Sequence, residues 1–282
     1  ESIVGDTAQI IVKNSHTALG KIGAYIKAQV APKTVGITGS SGKTTVKEMV
    51  AAILSRLGKV LATNGNFNND IGVPLTLLRL TPEHEFAVIE MGANHQGEIA
   101  YSTHLVKPDI ALINNVAAAH LEGFGSIDGV AIAKGEIFTG LPAQGLAIYQ
   151  DNSPYTKVWK PALTDKNVQV FSNDTLTHTL GDTLTNAQGC FSSNIDINAQ
   201  GCASFILHSE VEKNKGSTPI TLSLPGKHNV DNALAAATIC IEMGATFDDI
   251  RLALATMAQV KGRTNVQQLS GTITLVDDTY NA

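Results

Sequence analysis

Apolar positions change period along this chain, and the changes mark its organisation. A short apolar run at 34–38 gives way to a Gly/Ser loop. Val46, Met49, Val50, Ile53, Leu54 and Leu57 then recur at helical spacing as far as Gly58. Apolar runs at 60–62, 86–91, 110–116 and 146–149 predict further strands, with helices at 97–106 and 127–141 between them. Strands alternating with helices imply right-handed crossovers and an α/β fold built on a doubly wound, mainly parallel sheet. After residue 170 the rhythm shifts. Within 175–224, the alternating runs 193–198, 203–208 and 220–224 predict a small antiparallel β excursion beside that sheet. Helices at 229–243 and 247–259 follow, then a hairpin pairing 266–269 with 272–276.

The first thirty residues read differently. Residues 10–12 suit a strand end, and 16–29 suit a helix with Ala18, Leu19, Ile22, Tyr25 and Ile26 along one face. One strand and one helix cannot bury a core. The expected division is therefore a remnant of a preceding domain (1–30), a central domain (31–276) and the start of a linker to another domain (277–282).

Composition narrows the class. Apolar residues are 43 % of the chain but aromatic residues only 5 %, so the core must be mostly Ala, Val, Ile and Leu, as in a buried parallel sheet covered by helices. A net charge of −5 without Lys/Arg blocks argues against general nucleic-acid binding. Cys190, Cys202 and Cys240 have no CxxC spacing and read as reduced thiols of a cytoplasmic protein. No apolar run approaches the ~20 residues of a membrane span.

The strongest chemical signal is the run Gly36-Ile37-Thr38-Gly39-Ser40-Ser41-Gly42-Lys43-Thr44-Thr45, between a predicted strand and a predicted helix. Glycines let backbone N–H groups close around phosphate oxygens, and the helix N-terminus adds partial positive charge. Lys43 is placed to neutralise outer phosphates and the Thr44 hydroxyl to hold a metal ion. The strict phosphate-loop pattern asks for Gly at position 37, where this chain has Ile37, so the loop is a variant. Glu90 ends a strand at the carboxyl edge of the sheet, where ligands bind in such folds, and its carboxylate can reach a cation beside the loop.

The loop form TGSSGKTT at 38–45 resembles the Mur ligase family. So do NGNFNNDIGVPL at 64–75, EMGA at 90–93, KGR at 261–263 and the closing DDTYNA. The resemblance runs from about residue 30 to the end and is least specific over 174–217. It implies an ATP-dependent, amide-forming enzyme of peptidoglycan synthesis that uses Mg2+. Its substrates would be a UDP-linked muramoyl tripeptide, activated as an acyl phosphate, and D-alanyl-D-alanine. It also implies a cytoplasmic monomer with neither a nucleic-acid partner nor a membrane span. Family enzymes have three domains, so this stretch is expected to bind ATP without completing ligation. The alternatives are the sibling ligase that adds the third peptide residue and a nucleotide-binding module without catalysis.

By resemblance, Gly39, Ser40, Ser41, Gly42, Lys43, Thr44, Thr45 and Asn115 contact the nucleotide phosphates. Asn229 and Asn232 contact the adenine side, although Asn229 could instead cap its helix. Arg263 and Asp278 approach the phosphates and ribose. Thr44, Glu90, His120 and Lys134 are the implied metal ligands, and Lys43, His120 and Lys134 the implied catalytic groups. In related ligases the lysine corresponding to Lys134 is carbamylated, which turns a cation into a carboxylate-like metal ligand. Read alone, His120 is an ordinary loop histidine and Lys134 a solvated helix lysine. Asn66, Asn68 and Asn69 shape the loop near the tripeptide carboxylate.

Overall fold

A computed structural model describes residues 8–151, 153–174, 188–258, 265–270, 273–277 and 279. Nine strands form one sheet: β1 (Lys33–Thr38), β2 (Val60–Ala62), β3 (Phe86–Glu90), β4 (Ile110–Ile113), β5 (Leu146–Gln150), β6 (Asn167–Ser172), β7 (Gln188–Ile197), β8 (Cys202–Ser209) and β9 (Gly216–Pro225). Their order is β2-β3-β1-β4-β5-β6-β7-β8-β9. Pairing is parallel as far as β7 and antiparallel for β8 and β9. The antiparallel excursion is thus the continuation of the main sheet. Strands β10 (Asn265–Ser270) and β11 (Ile273–Asp277) form the expected hairpin.

The helices are α1 (Ser15–Val30), α2 (Lys43–Leu54), α3 (Gly72–Leu77), α4 (Glu98–Val106), α5 (Leu121–Phe124), α6 (Ile127–Gly135), α7 (Thr156–Leu163), α8 (Asn229–Met243) and α9 (Phe247–Ala255). They cover both faces of the sheet, and strand parity decides which residue meets which layer. Phe86 and Val88 of β3, Val35 and Ile37 of β1, and Ile110 and Leu112 of β4 pack into the core that includes α2 and α8. Ala87 and Ile89, with Ala111 and Ile113, pack into the other core, under α3, α4 and α6. Continuing that alternation puts Glu90 and Asn114 on the α2/α8 side.

Several boundaries differ from the sequence reading, each for a local reason. Strand β4 stops at Ile113, because Asn114 and Asn115 turn to the phosphate loop. Helix α2 ends at Leu54, and Gly58 closes the turn after it by donating its N–H to the Leu54 carbonyl. The predicted 127–141 helix tightens into a 3-10 turn at Glu136–Gly140. Strand β6 and the short helices α3, α5 and α7 were not predicted. Residues 10–12 form no strand, and Ile10 and Ile11 are exposed. On α1 the expected apolar face is used only in part: Ile26 packs against the core and Ala18 and Leu19 are half-buried, but Ile22 and Tyr25 are exposed, while Gly20 and Gly23 are buried. A Cβ on Gly20 would lie 2.2 Å from Tyr101 Oη of α4, and one on Gly23 3.0 Å from the Pro74 carbonyl of α3, so the glycines set the close approach.

Two of the three cysteines belong to the core. Burial pushes the Cys190 thiol up to about 11 and raises Cys240 as well, whereas Cys202 is half-buried on β8. No described helix is long and apolar enough to cross a membrane.

Candidate functional site

The loop between β1 and α2 is built on two glycines. Gly39 has φ +157° and Gly42 φ +73°. Gly42 also stands where no side chain fits: a Cβ there would lie 2.5 Å from Asn232 Oδ1 and 2.6 Å from Asn114 Nδ2. It is the N-cap of α2 and, having no side chain, makes no side-chain cap bond to the helix.

Neighbouring strand ends hold the loop in shape. Asn115, just beyond β4, accepts from the Ser41 N–H at 2.9 Å and donates to the Ser41 carbonyl at 3.1 Å. Ser40 Oγ donates to the Ala117 carbonyl and accepts from the Ala117 N–H. Asn114 Nδ2 donates to the Ser41 carbonyl at 3.1 Å and to Asn232 Oδ1 at 2.9 Å. Asn232 Nδ2 donates to Asn229 Oδ1, and Asn229 Nδ2 to the Pro225 carbonyl. The two α8 asparagines are thus buried and bonded within the protein. His228, not Asn229, occupies the N-cap of α8.

Glu90 is the centre of the site. It is only 1 % exposed, yet its carboxylate accepts from two neutral donors, Thr44 Oγ1 at 2.9 Å and Asn68 Nδ2 at 2.8 Å. Lys43 Nζ donates to the Gly39 carbonyl at 2.8 Å. Lys134 is 2 % exposed, with Nζ 5.7 Å from the centre of the Phe124 ring. Burial, helped by the nearby charge of Lys43, lowers its pKa to about 8, with Glu136 and Glu98 pulling weakly the other way. His120 is exposed and holds a left-handed φ of +52°, an uncommon conformation for a residue with a side chain.

One cavity of about 300 Å³ collects most of the predicted residues: Ser40, Ser41, Gly42, Lys43, Thr44, Asn66, Asn68, Asn69, Glu90, His120 and Lys134 all line it. Gly39, Thr45, Asn115, Asn229 and Asn232 do not. Arg263 and Asp278 lie outside the described residues. The sequence reading missed Asn114, which joins α8 to the loop, as well as Lys47 and Thr63 behind Glu90. A signal existed for Lys47, which falls one helical turn after Thr44 on the same stripe. A larger hollow of about 770 Å³ opens at the opposite, amino-terminal edge of the strands, beside Lys33, Asp109, Leu146 and Asn167. None of the predicted residues line it, and the glycine loop is at the other edge.

Residues 37–240 match the family model of the Mur ligase middle domain. The UDP-N-acetylmuramoyl-tripeptide–D-alanyl-D-alanine ligase of Escherichia coli K12 is 49 % identical over 98 % of this chain and 58 % of its own length. A crystal structure of MurF from Acinetobacter baumannii superposes with a TM-score of 0.88 at 40 % identity, over 100 % of this chain and 58 % of that one. MurF from Thermotoga maritima, solved in complex with ADP, superposes with a TM-score of 0.84 at 27 % identity, over 100 % of this chain and 61 % of that one. This chain therefore spans less than two thirds of the length of these relatives. With the family model covering most of the parallel sheet and the glycine loop at its carboxyl edge, the chain belongs to the Mur ligase family.

Proposed function

We propose that this chain supplies the ATP-binding core of a ligase that joins D-alanyl-D-alanine to UDP-N-acetylmuramoyl-tripeptide in peptidoglycan synthesis. The observation that carries the reading is the single cavity shared by Lys43, Thr44, Glu90, His120 and Lys134 at the carboxyl edge of the sheet. Names of relatives support it, and so does the ADP held by one of them. The proposal includes a cytoplasmic, monomeric protein in which residues 1–30 belong to a UDP-substrate domain, 31–276 to the ATP-binding domain and 277–282 to a linker.

The residues divide the work by chemistry. Amides of the loop and of the first turn of α2 receive phosphate oxygens, and Lys43 turns from the Gly39 carbonyl to the outer phosphates. A buried carboxylate held by neutral donors fits a divalent cation, and Glu90 and Thr44 offer it hard oxygen ligands, as magnesium prefers. His120 and carbamylated Lys134 complete the proposed ligand set. Magnesium, when bound, would neutralise charge on the transferred phosphoryl group. Asn66, Asn68 and Asn69 hold the tripeptide carboxylate near the γ-phosphate. That carboxylate takes the phosphoryl group as ADP leaves. The amine of D-alanyl-D-alanine then displaces phosphate, and the amide forms. Asn115 acts at the phosphates through the loop it braces. Asn229 and Asn232 act on the adenine side, and Arg263 and Asp278 at the phosphates and ribose.

ATP titrated with magnesium into the 282-residue chain should bind. Lys43→Ala should weaken binding about tenfold or more, the scale of a lost charge-assisted hydrogen bond, with unchanged circular dichroism. An absence of binding in the parent chain, or equal binding in the variant, would refute the reading. ATP binding without ligation by any longer protein containing this chain would favour the non-catalytic module.

A further inference from the structure

Lys47 is 1 % exposed and among the bulkiest fully buried side chains of the protein. Lysine is rarely buried this completely, because its terminal amine needs partners once water is removed. The partners here are specific. Nζ donates to the Thr63 carbonyl at 2.7 Å and lies 2.8 Å from Glu48 Oε1.

Thr63 is the residue just past β2, and it is bonded on every side. Its N–H donates to the Val88 carbonyl at 3.1 Å, and its Oγ1 accepts from the Glu90 N–H at 3.0 Å. The chain leaves Thr63 directly into the loop bearing Asn66, Asn68 and Asn69, and Asn68 returns to the Glu90 carboxylate. The bonds form a closed circuit. From Thr44 it passes to Glu90, then to Thr63, to Lys47, and back along one turn of α2. The three links between elements are hydrogen bonds between buried groups, and the helix backbone closes the circuit.

We propose that Lys47 is a positioning residue for the metal and phosphate site. It holds the tip of β3 at a fixed height against the first turn of α2, and so fixes the spacing of the Thr44 and Glu90 oxygens. The inference rests on the nucleotide and metal reading given above. An ordinary structural lysine would stabilise the whole domain alike. The circuit instead makes Lys47 matter most where two oxygens from different elements must meet one cation, and least for the loop amides, which grip phosphate without it.

The test compares the parent chain with Lys47→Met, which keeps the length but removes the donor, and with Thr63→Val, which removes only the hydroxyl bonded to Glu90. Binding of a fluorescent ATP analogue is measured in EDTA and again across a magnesium titration. Lys47→Met should raise the magnesium midpoint at least fivefold while metal-free affinity stays within threefold of the parent. Thr63→Val should move the midpoint in the same direction, and Lys47→Arg, which restores a donor, should recover most of the shift. If Lys47→Met does not fold, Thr63→Val carries the test alone. A parent-like midpoint in the folded variants overturns the proposal, and so does an equal loss of metal-free and metal-dependent binding. A parent chain that shows no magnesium-dependent nucleotide binding overturns instead the function on which the proposal rests.

Discussion

At Lys134, burial and a neighbouring cation act in the same direction, and together they change what the side chain can do. With its pKa lowered to about 8, roughly a quarter of the amine is neutral at pH 7.5, against on the order of one part in a thousand for an ordinary lysine. Because the folded value lies below the unfolded one, the stability linked to this group rises with pH between about 8 and about 10.5. A neutral Nζ can attack carbon dioxide: the N–C bond forms, one proton leaves to solvent, and a carbamate anion results. Burial opposes that anion, and a divalent cation at Glu90 would offset the cost. With 13C-bicarbonate, magnesium and ATP, the chain should show a carbamate resonance that Lys134→Arg lacks; its absence from the parent chain between pH 7 and 9 would count against the modification. Lys43, Thr44 and Glu90 were legible in the sequence because a glycine loop and a strand end announce them locally. Asn114 and Thr63 were not, because their partners Asn232 and Glu90 are 118 and 27 residues away and only the tertiary fold brings them together, and the helical stripe that marks Lys47 does not reveal its bond to Thr63.

Helix α9 shows how far an element can be read from its own residues. Its predicted start at Phe247 holds because Thr246 and Asp249 form a capping box: Thr246 Oγ1 accepts from the Asp249 N–H, and Asp249 accepts from the Thr246 N–H. Asp249 also takes a bond from Arg56, just past the end of α2, at 3.0 Å. The Thr246 hydroxyl, then the backbone and Arg56 bonds, hold the Asp249 carboxyl below its usual range against the opposing pull of partial burial. Its contribution is therefore present above the unfolded value of about 4 and fades as pH falls through the lower folded value. Asp249→Asn should cost about 1 kcal/mol at pH 7 and clearly less at pH 3, read from urea unfolding. An equal cost at both pH values would show that the carboxylate charge plays no part. Elements without such local signals were lost: α3 is only six residues long and contains Pro74, and α7 contains Pro161. The face of α1 was only partly legible, through Ile26, because its closest packing runs through Gly20 and Gly23, which a hydrophobic period cannot register.

Across the molecule, the alternation of strands and helices was enough to predict a doubly wound sheet, and the nine-stranded order bears that out. What the pattern could not give was continuity. The alternating runs after residue 188 look alike whether they stand beside a sheet or extend it, and only the parallel pairing of β6 with β7 decides. The same continuity seals Cys190 on β7 and Cys240 on α8 inside the core, where burial keeps both thiols protonated at neutral pH. Cys202, half-buried on β8, pairs in register with Pro225, the residue whose carbonyl accepts from Asn229. A maleimide dye should therefore react with the native chain once, at Cys202, and three times after denaturation, as intact-mass spectrometry would count. Two or more adducts on the native chain would contradict the sealed core. A lone fluorophore at that position would sit at the far end of the asparagine relay from the glycine loop, so the native protein already carries its own attachment point for an optical reporter of nucleotide arrival.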